Sequence, residues 1–130
     1  MKLIDTDVAI DHFHGNKSAH SLFAGILDSG DGLYISVVTL AELLAGMRSS
    51  EEELTEKLLS LFTVVDVDNV IARRAGEYLR HYSRSHNLEL GDALIAATVA
   101  ELDAELVTRN VKHYPMDNIR IMVPYERGRR

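Results

Sequence analysis

Five short segments of this chain are apolar at consecutive positions rather than alternate ones. They are Lys2-Leu3-Ile4, Leu33-Tyr34-Ile35, Val64-Val65-Asp66-Val67, Leu106-Val107 and Ile119 to Val123. Runs of this kind mark strands buried on both faces, which restricts the chain to a sheet sandwiched between other layers. Helical patterns separate the runs. One extends from the stop at Asp5-Thr6-Asp7 to about Phe13 and breaks at Gly15-Asn16. A second, Ser18 to Leu27, sets Ala19, Leu22, Phe23, Ile26 and Leu27 on one face and closes at Gly30 and Gly32. Val37 to Met47 is strongly apolar, and Glu52 to Phe62 carries Leu54, Leu58, Leu59 and Leu61. Asn69 to Ser85 has an apolar face of Val70, Ile71, Ala75, Tyr78, Leu79 and Tyr82. The helix opening at Gly91-Asp92 is apolar nearly all round through Ala100, which predicts deep burial. Strands alternating with helices predict an α/β protein with a central, mainly parallel sheet covered on both faces. Sites in such sheets form beyond the carboxyl ends of the strands, where Asp5 and Arg109-Asn110 fall.

Composition narrows the function classes. A chain of 130 residues with no repeat or linker fits one domain spanning residues 1–130. With 46% apolar and 26% charged residues, it is not a disordered or low-complexity chain. The absence of cysteine removes disulfide scaffolds, thiol nucleophiles and cysteine-based metal centres. No apolar run approaches the ~18 residues of a membrane span, and Met1-Lys2 leads directly into a strand pattern rather than a signal peptide. The expectation is a soluble cytoplasmic protein without membrane contact. The net charge of −6 argues against a general nucleic-acid coat protein. Residues 109–130 nevertheless hold six bases (Arg109, Lys112, Arg120, Arg127, Arg129, Arg130) against two acids (Asp117, Glu126), which permits a local polyanion contact.

Three acids stand in apolar surroundings. Asp5 ends a strand, Glu42 lies within Val37-Val38-Thr39-Leu40-Ala41-Glu42-Leu43-Leu44, and Asp92 opens the most apolar helix. Carboxylates in such settings are costly unless paired, hydrogen-bonded or bound to a cation. Each has a local explanation: Asp5 and Asp92 as helix N-caps, and Thr39 with Glu42 as a capping box. A shared explanation is a cluster gathered around a divalent cation, since hard ions take oxygen ligands. Such an ion lowers the pKa of a bound water and neutralises charge on a phosphoryl group.

Leu3-Ile4-Asp5-Thr6-Asp7-Val8, Ser36 to Leu43, Leu90-Gly91-Asp92-Ala93-Leu94-Ile95-Ala96-Ala97 and Leu106-Val107-Thr108-Arg109-Asn110 resemble, in order, the motifs of PIN-domain ribonucleases. The likeness is greatest to VapC-like toxins of toxin–antitoxin pairs. It implies a compact three-layer α/β/α fold that hydrolyses RNA with Mg²⁺ or Mn²⁺ through metal-activated water. Carried over by position, Asp5, Glu42 and Asp92 are the metal-binding catalytic acids, and Asn110 falls where many members have a fourth acid. Thr6 and Thr108 supply hydroxyls near the phosphate, and Asp7 takes a supporting place. Arg109, Lys112 and the C-terminal arginines are candidates for flanking RNA phosphates. The resemblance further implies a cognate antitoxin, seated where the leucine face of residues 52–62 adjoins neighbouring helices, and a homodimer. Single-stranded or looped RNA is the expected substrate form, because an A-form duplex hides its base edges.

Two rival readings remain open from the residues. Asp5-Thr6-Asp7-Val8 with Ser36 and Gly91-Asp92 fits the start of a haloacid-dehalogenase-like phosphatase, although residue 96 is alanine where a second acid belongs and Glu42 is unexplained. A non-catalytic PIN-like interaction module would make the acids structural. The histidines suggest no zinc site: His12 and His14 point apart on a helix, and His81 and His86, five apart, are also misaligned. His113-Tyr114 fits either the site mouth or a packing role.

Overall fold

The computed structural model describes residues 1–125, so the arginines expected to contact RNA at 127, 129 and 130 lie outside the described residues. Five strands form one sheet: β1 (Lys2–Ile4), β2 (Leu33–Ser36), β3 (Phe62–Val65), β4 (Glu105–Val107) and β5 (Arg120–Met122). Their order is β3-β2-β1-β4-β5, and every pairing is parallel. The helices are α1 (Thr6–Phe13), α2 (Lys17–Asp28), α3 (Val37–Gly46), α4 (Glu52–Leu59), α5 (Asn69–His86) and α6 (Leu90–Glu101), with short 3₁₀ turns at Ser49–Glu51 and Val111–His113.

The consecutive apolar residues of the central strands serve two cores, because successive side chains point to opposite sheet faces. β3, at the sheet edge, departs from the two-sided burial its sequence suggests, with Thr63 and Val64 exposed. Leu3 and Leu106 join α5 and α6 on one side. Ile4, Val107, Leu33 and Ile35 join α1, α2 and α4 on the other. The result is a three-layer α/β/α arrangement. In α6, Ala93, Ile95, Ala96, Ala97 and Val99 are all buried, as the all-round apolar pattern predicts. Its small residues let the helix lie close to the sheet while α5 packs over it. Arg74 near the start of α5 pairs with Glu101 at the end of α6, so the two helices are antiparallel.

Capping fixes several boundaries. Asn16, Ser36 and Asp68 accept from Ala19 N, Val38 N and Ile71 N at the starts of α2, α3 and α5. Asn87 ends α5 with φ of 53°, the left-handed C-cap that lets the chain turn directly into α6. Two expectations shift. Phe62 belongs to β3 rather than to the preceding helix, because Ser60 and Leu61 bond back to Glu56 and Leu58 and end α4 there. Leu54 is 59% exposed and Leu27 is also exposed, so neither belongs to the core its helical spacing suggested.

β1, β2 and β3 extend the sheet one way, and β4 and β5 extend it the other. The topological switch therefore lies between β1 and β4, where Asp5 and Thr108 leave their strands side by side. Packing of α6 makes one prediction. Ala96→Leu forces extra volume into a fully buried position and should destabilise the protein by about 1–3 kcal/mol. A lower urea midpoint at unchanged slope would register this.

Candidate active site

Asp5 is the centre of the switch-point cluster. It is only 5% exposed and stands at the N-cap of α1. Its Oδ1 accepts from Thr6 N at 2.8 Å, and its Oδ2 accepts from Thr108 Oγ1 at 2.8 Å and Tyr114 Oη at 2.9 Å. Three donors replace the water that burial removes. The cap role and the cluster role thus coexist in one side chain.

Two side chains connect Asp5 to the other acids. The Tyr114 hydroxyl lies 3.4 Å from Asp92 Oδ1, so it stands between the two aspartates. Thr6 donates its backbone N–H to Asp5 and its hydroxyl to Glu42 Oε1 at 2.6 Å. With the Thr6 proton spent on Glu42, the 2.9 Å contact between Thr39 Oγ1 and Thr6 Oγ1 has Thr39 as donor. Asp5 from the end of β1 and Glu42 from α3 are thereby linked through the N–H and hydroxyl of Thr6, and Asp92 from α6 lies beside the Tyr114 hydroxyl that donates to Asp5. The local capping explanations fail for the latter two: Ser36 caps α3, and Glu89 occupies the N-cap position of α6. Glu42 is exposed rather than enclosed by its apolar neighbours, because it points out of the helix face that packs.

Charge accumulates here. Burial raises the Asp92 pKa to about 6, and the negative charges of Asp5, Glu89 and Glu42 push in the same direction. His113, with Nδ1 at 3.4 Å from Asp92 Oδ2, opposes them. Asp7 is also raised to about 6, by burial and by Asp5, against hydrogen bonds from Arg109 N and Val8 N. The Tyr114 hydroxyl is pushed far upward by burial and by Asp5 and Asp92, so it remains a proton donor. Among the described residues, no three His, Asp or Glu side chains are gathered closely enough to hold a metal ion as they stand. The donors are nonetheless oxygens of hard, mutually repelling carboxylates, and their excess negative charge is what a divalent cation relieves.

The remaining sequence candidates are placed as follows. Thr108 is fully buried and serves Asp5, while its Oγ1 accepts from Asn110 N at 3.0 Å. Asn110 is half-buried, and its side chain makes no hydrogen bond among the described residues. Lys112 is exposed on the 3₁₀ turn that also carries His113. Arg109 differs from the phosphate contact expected of it: its side chain is 13% exposed and pairs with Asp11, Nε to Oδ2 at 2.7 Å. Tyr125 Oη donates to the same Asp11 at 2.8 Å, so Arg109 anchors the loop to α1. Of the two roles the sequence left open for Tyr114, site mouth or packing, it fills both, being buried with its hydroxyl on Asp5. The pairing of Asp11 with Arg109 is the contact that sequence reasoning left out. A tyrosine one residue beyond a polar turn carries no periodic signal, and the order of the strands alone brings it to Asp5.

The raised carboxyls imply a pH dependence. Between about pH 4 and 6 the folded protein retains protons on Asp7 and Asp92 that the unfolded chain has released. Both therefore oppose folding increasingly as pH rises through that window. In EDTA, Asp92→Asn should gain urea stability relative to the parent between pH 4.5 and 7. A gap that stays constant with pH would show that Asp92 titrates normally.

Residues 2–118 match the PIN domain family. Over 117 residues the chain is 47% identical to ribonuclease VapC10 of Mycobacterium tuberculosis, covering 89% of this chain and 87% of that protein. It is 42% identical to ribonuclease VapC19 of the same organism, covering 89% and 94%. Its structure superposes on a chain of a toxin–antitoxin complex from Klebsiella pneumoniae with a TM-score of 0.77 at 29% identity, covering 97% of this chain and 99% of that one. It shares the fold of a chain in DNA-bound VapBC from Salmonella typhimurium, with a TM-score of 0.79 at 23% identity, covering 93% and 96%. A parallel five-stranded sheet with its acids at the switch point, together with these likenesses, makes the chain a member of the PIN-domain family on its VapC ribonuclease branch.

Proposed function

We propose that this chain is an endoribonuclease, the toxin of a toxin–antitoxin pair, and that Asp5, Glu42 and Asp92 hold Mg²⁺ or Mn²⁺ for hydrolysis of RNA phosphodiester bonds. The observation that carries this reading is the approach of three carboxylates, from three elements, to Tyr114 and Thr6. A cation bound there would supply an acidified water and offset charge on the phosphoryl group. It would also allow an RNA phosphate to approach a cluster that otherwise repels it.

The chain's own residues prepare the site. Thr108, Tyr114 and Thr6 N fix both oxygens of Asp5, and the Thr6 hydroxyl orients Glu42. Thr6 and Thr108 thus act through the carboxylates, while Lys112 is the exposed cation beside the site for a flanking phosphate. The Asn110 amide, free of partners among the described residues, is a neutral group for substrate. Asp7 bonds to Arg109 N and Val8 N, which leaves it poorly placed as the general acid of the phosphatase alternative.

For the antitoxin, a pocket of about 110 Å³ between α1, α3 and α4 offers Ile10, Phe13, Leu43, Met47 and Leu58. Exposed Leu54 and Leu61 extend this apolar surface. A homodimer completes the reading.

Incubation with total RNA tests the catalytic assignment. Cleavage should require Mg²⁺ or Mn²⁺ and stop in EDTA. Asp92→Asn should lower the rate by more than about 100-fold and reduce the melting-temperature rise caused by Mn²⁺. Undiminished cleavage by a folded Asp92→Asn protein would remove the assignment.

A further inference from the structure

The bond by which Tyr114 holds Asp5 also obstructs it. An ionised carboxylate offers about four acceptor positions on its two oxygens. Donors of the chain fill three of them on Asp5: Thr6 N takes one on Oδ1, and Thr108 Oγ1 and Tyr114 Oη take both on Oδ2. The Tyr114 oxygen also lies 3.4 Å from Asp92 Oδ1, so a hydroxyl stands between the two aspartates. Among the described residues no three acids are gathered to hold a metal ion as they stand. The group that lies between two of them is this hydroxyl.

The three donors differ in how readily they can give way. Thr6 N is backbone in the first turn of α1. Thr108 follows β4 directly, and its own N–H is bonded to Met122 O at 3.1 Å. Tyr114 opens the stretch 114–119, which has neither helix nor strand. Its hydroxyl can therefore leave Asp5 with no strand or helix hydrogen bond broken. The ring is 4% exposed and belongs to the core shared with α5 and α6, so replacing tyrosine by phenylalanine removes the hydroxyl and keeps the packing.

We infer that the Tyr114 hydroxyl is a built-in competitor for the cation: it must leave Asp5 for the acids to gather on a divalent ion, and it lowers the affinity of the site. The inference rests on the metal-site part of the proposed function and names the residue that regulates its loading. Holding Asp5 in place and opposing a cation are two effects of one bond. They predict opposite signs when that bond is removed. A tyrosine that only supports Asp5 would, on its loss, leave the acid looser and the ion more weakly held. A competitor would, on its loss, leave the ion more tightly held.

Binding of Mn²⁺ to the full chain without RNA, followed by the electron paramagnetic resonance of the free ion, reads that sign. Tyr114→Phe should bind Mn²⁺ about 10-fold more tightly than the parent, the effect of one hydrogen bond to a charged group that no longer has to break. Equal or weaker binding would overturn the inference.

Tyrosine emission reports the hydroxyl itself, since the chain has five tyrosines and no tryptophan, and a phenol that donates to a carboxylate is quenched. Among the described residues, the tyrosine hydroxyls that donate to a carboxylate are those of Tyr114 and Tyr125, the latter on Asp11. Mg²⁺ should raise the emission of the parent and of Tyr125→Phe, and leave that of Tyr114→Phe unchanged. Tyr125→Phe also covers the case in which Tyr114→Phe fails to fold: constant emission from it at saturating Mg²⁺ would overturn the inference. If the parent binds neither Mn²⁺ nor Mg²⁺, the metal site of the proposed function falls and the inference with it. If the parent binds them and cleaves RNA while Tyr114→Phe binds alike, only the role of Tyr114 is lost.

Discussion

The site depends on satisfying the Asp5 carboxyl group where water is excluded. Thr6 N, Thr108 Oγ1 and Tyr114 Oη supply the lost solvation, and they come from α1, the end of β4 and the loop beyond it. Satisfying one buried acid therefore aligns three separate parts of the chain. The same hydroxyl that completes Asp5 stands beside Asp92, and the same threonine whose N–H caps Asp5 reaches Glu42. The relative positions of these acids are set by contacts within the protein.

A second network keeps the loop after β4 in place. Arg109 N donates to Asp7, and the Arg109 guanidinium pairs with Asp11, which also receives the Tyr125 hydroxyl. Asp7 and Asp11 lie four apart on α1 and face the loop together. The loop then delivers Tyr114 inward and His113 to the rim. Negative charge on α1 is thus partly balanced by an arginine that the sequence suggested for another task.

The layer architecture was legible because two-faced burial leaves a direct mark: Leu3 with Ile4 and Leu106 with Val107 are consecutive apolar residues that serve opposite cores. Capping chemistry located most helix starts. The three acids were legible only in part. The premise of apolar surroundings describes Asp5 well, Asp92 moderately and exposed Glu42 not at all. Glu42 has apolar sequence neighbours, yet a helix turns each residue to its own direction, and that direction is set by packing. The Tyr114–Asp5 contact, as opposed to a place for Tyr114 near the site, and the Arg109–Asp11 pair were hidden for another reason. Their partners are about 100 residues away, and only the strand order brings them together.

An all-parallel sheet has no hairpins, and its central β1 meets β4 only after some hundred intervening residues have been made. Asp5 emerges early in synthesis, but its Thr108 and Tyr114 partners are among the last quarter of the chain. An incomplete nascent polypeptide thus lacks the groups that draw its acids together. This ordering withholds the assembled cluster until translation is nearly finished.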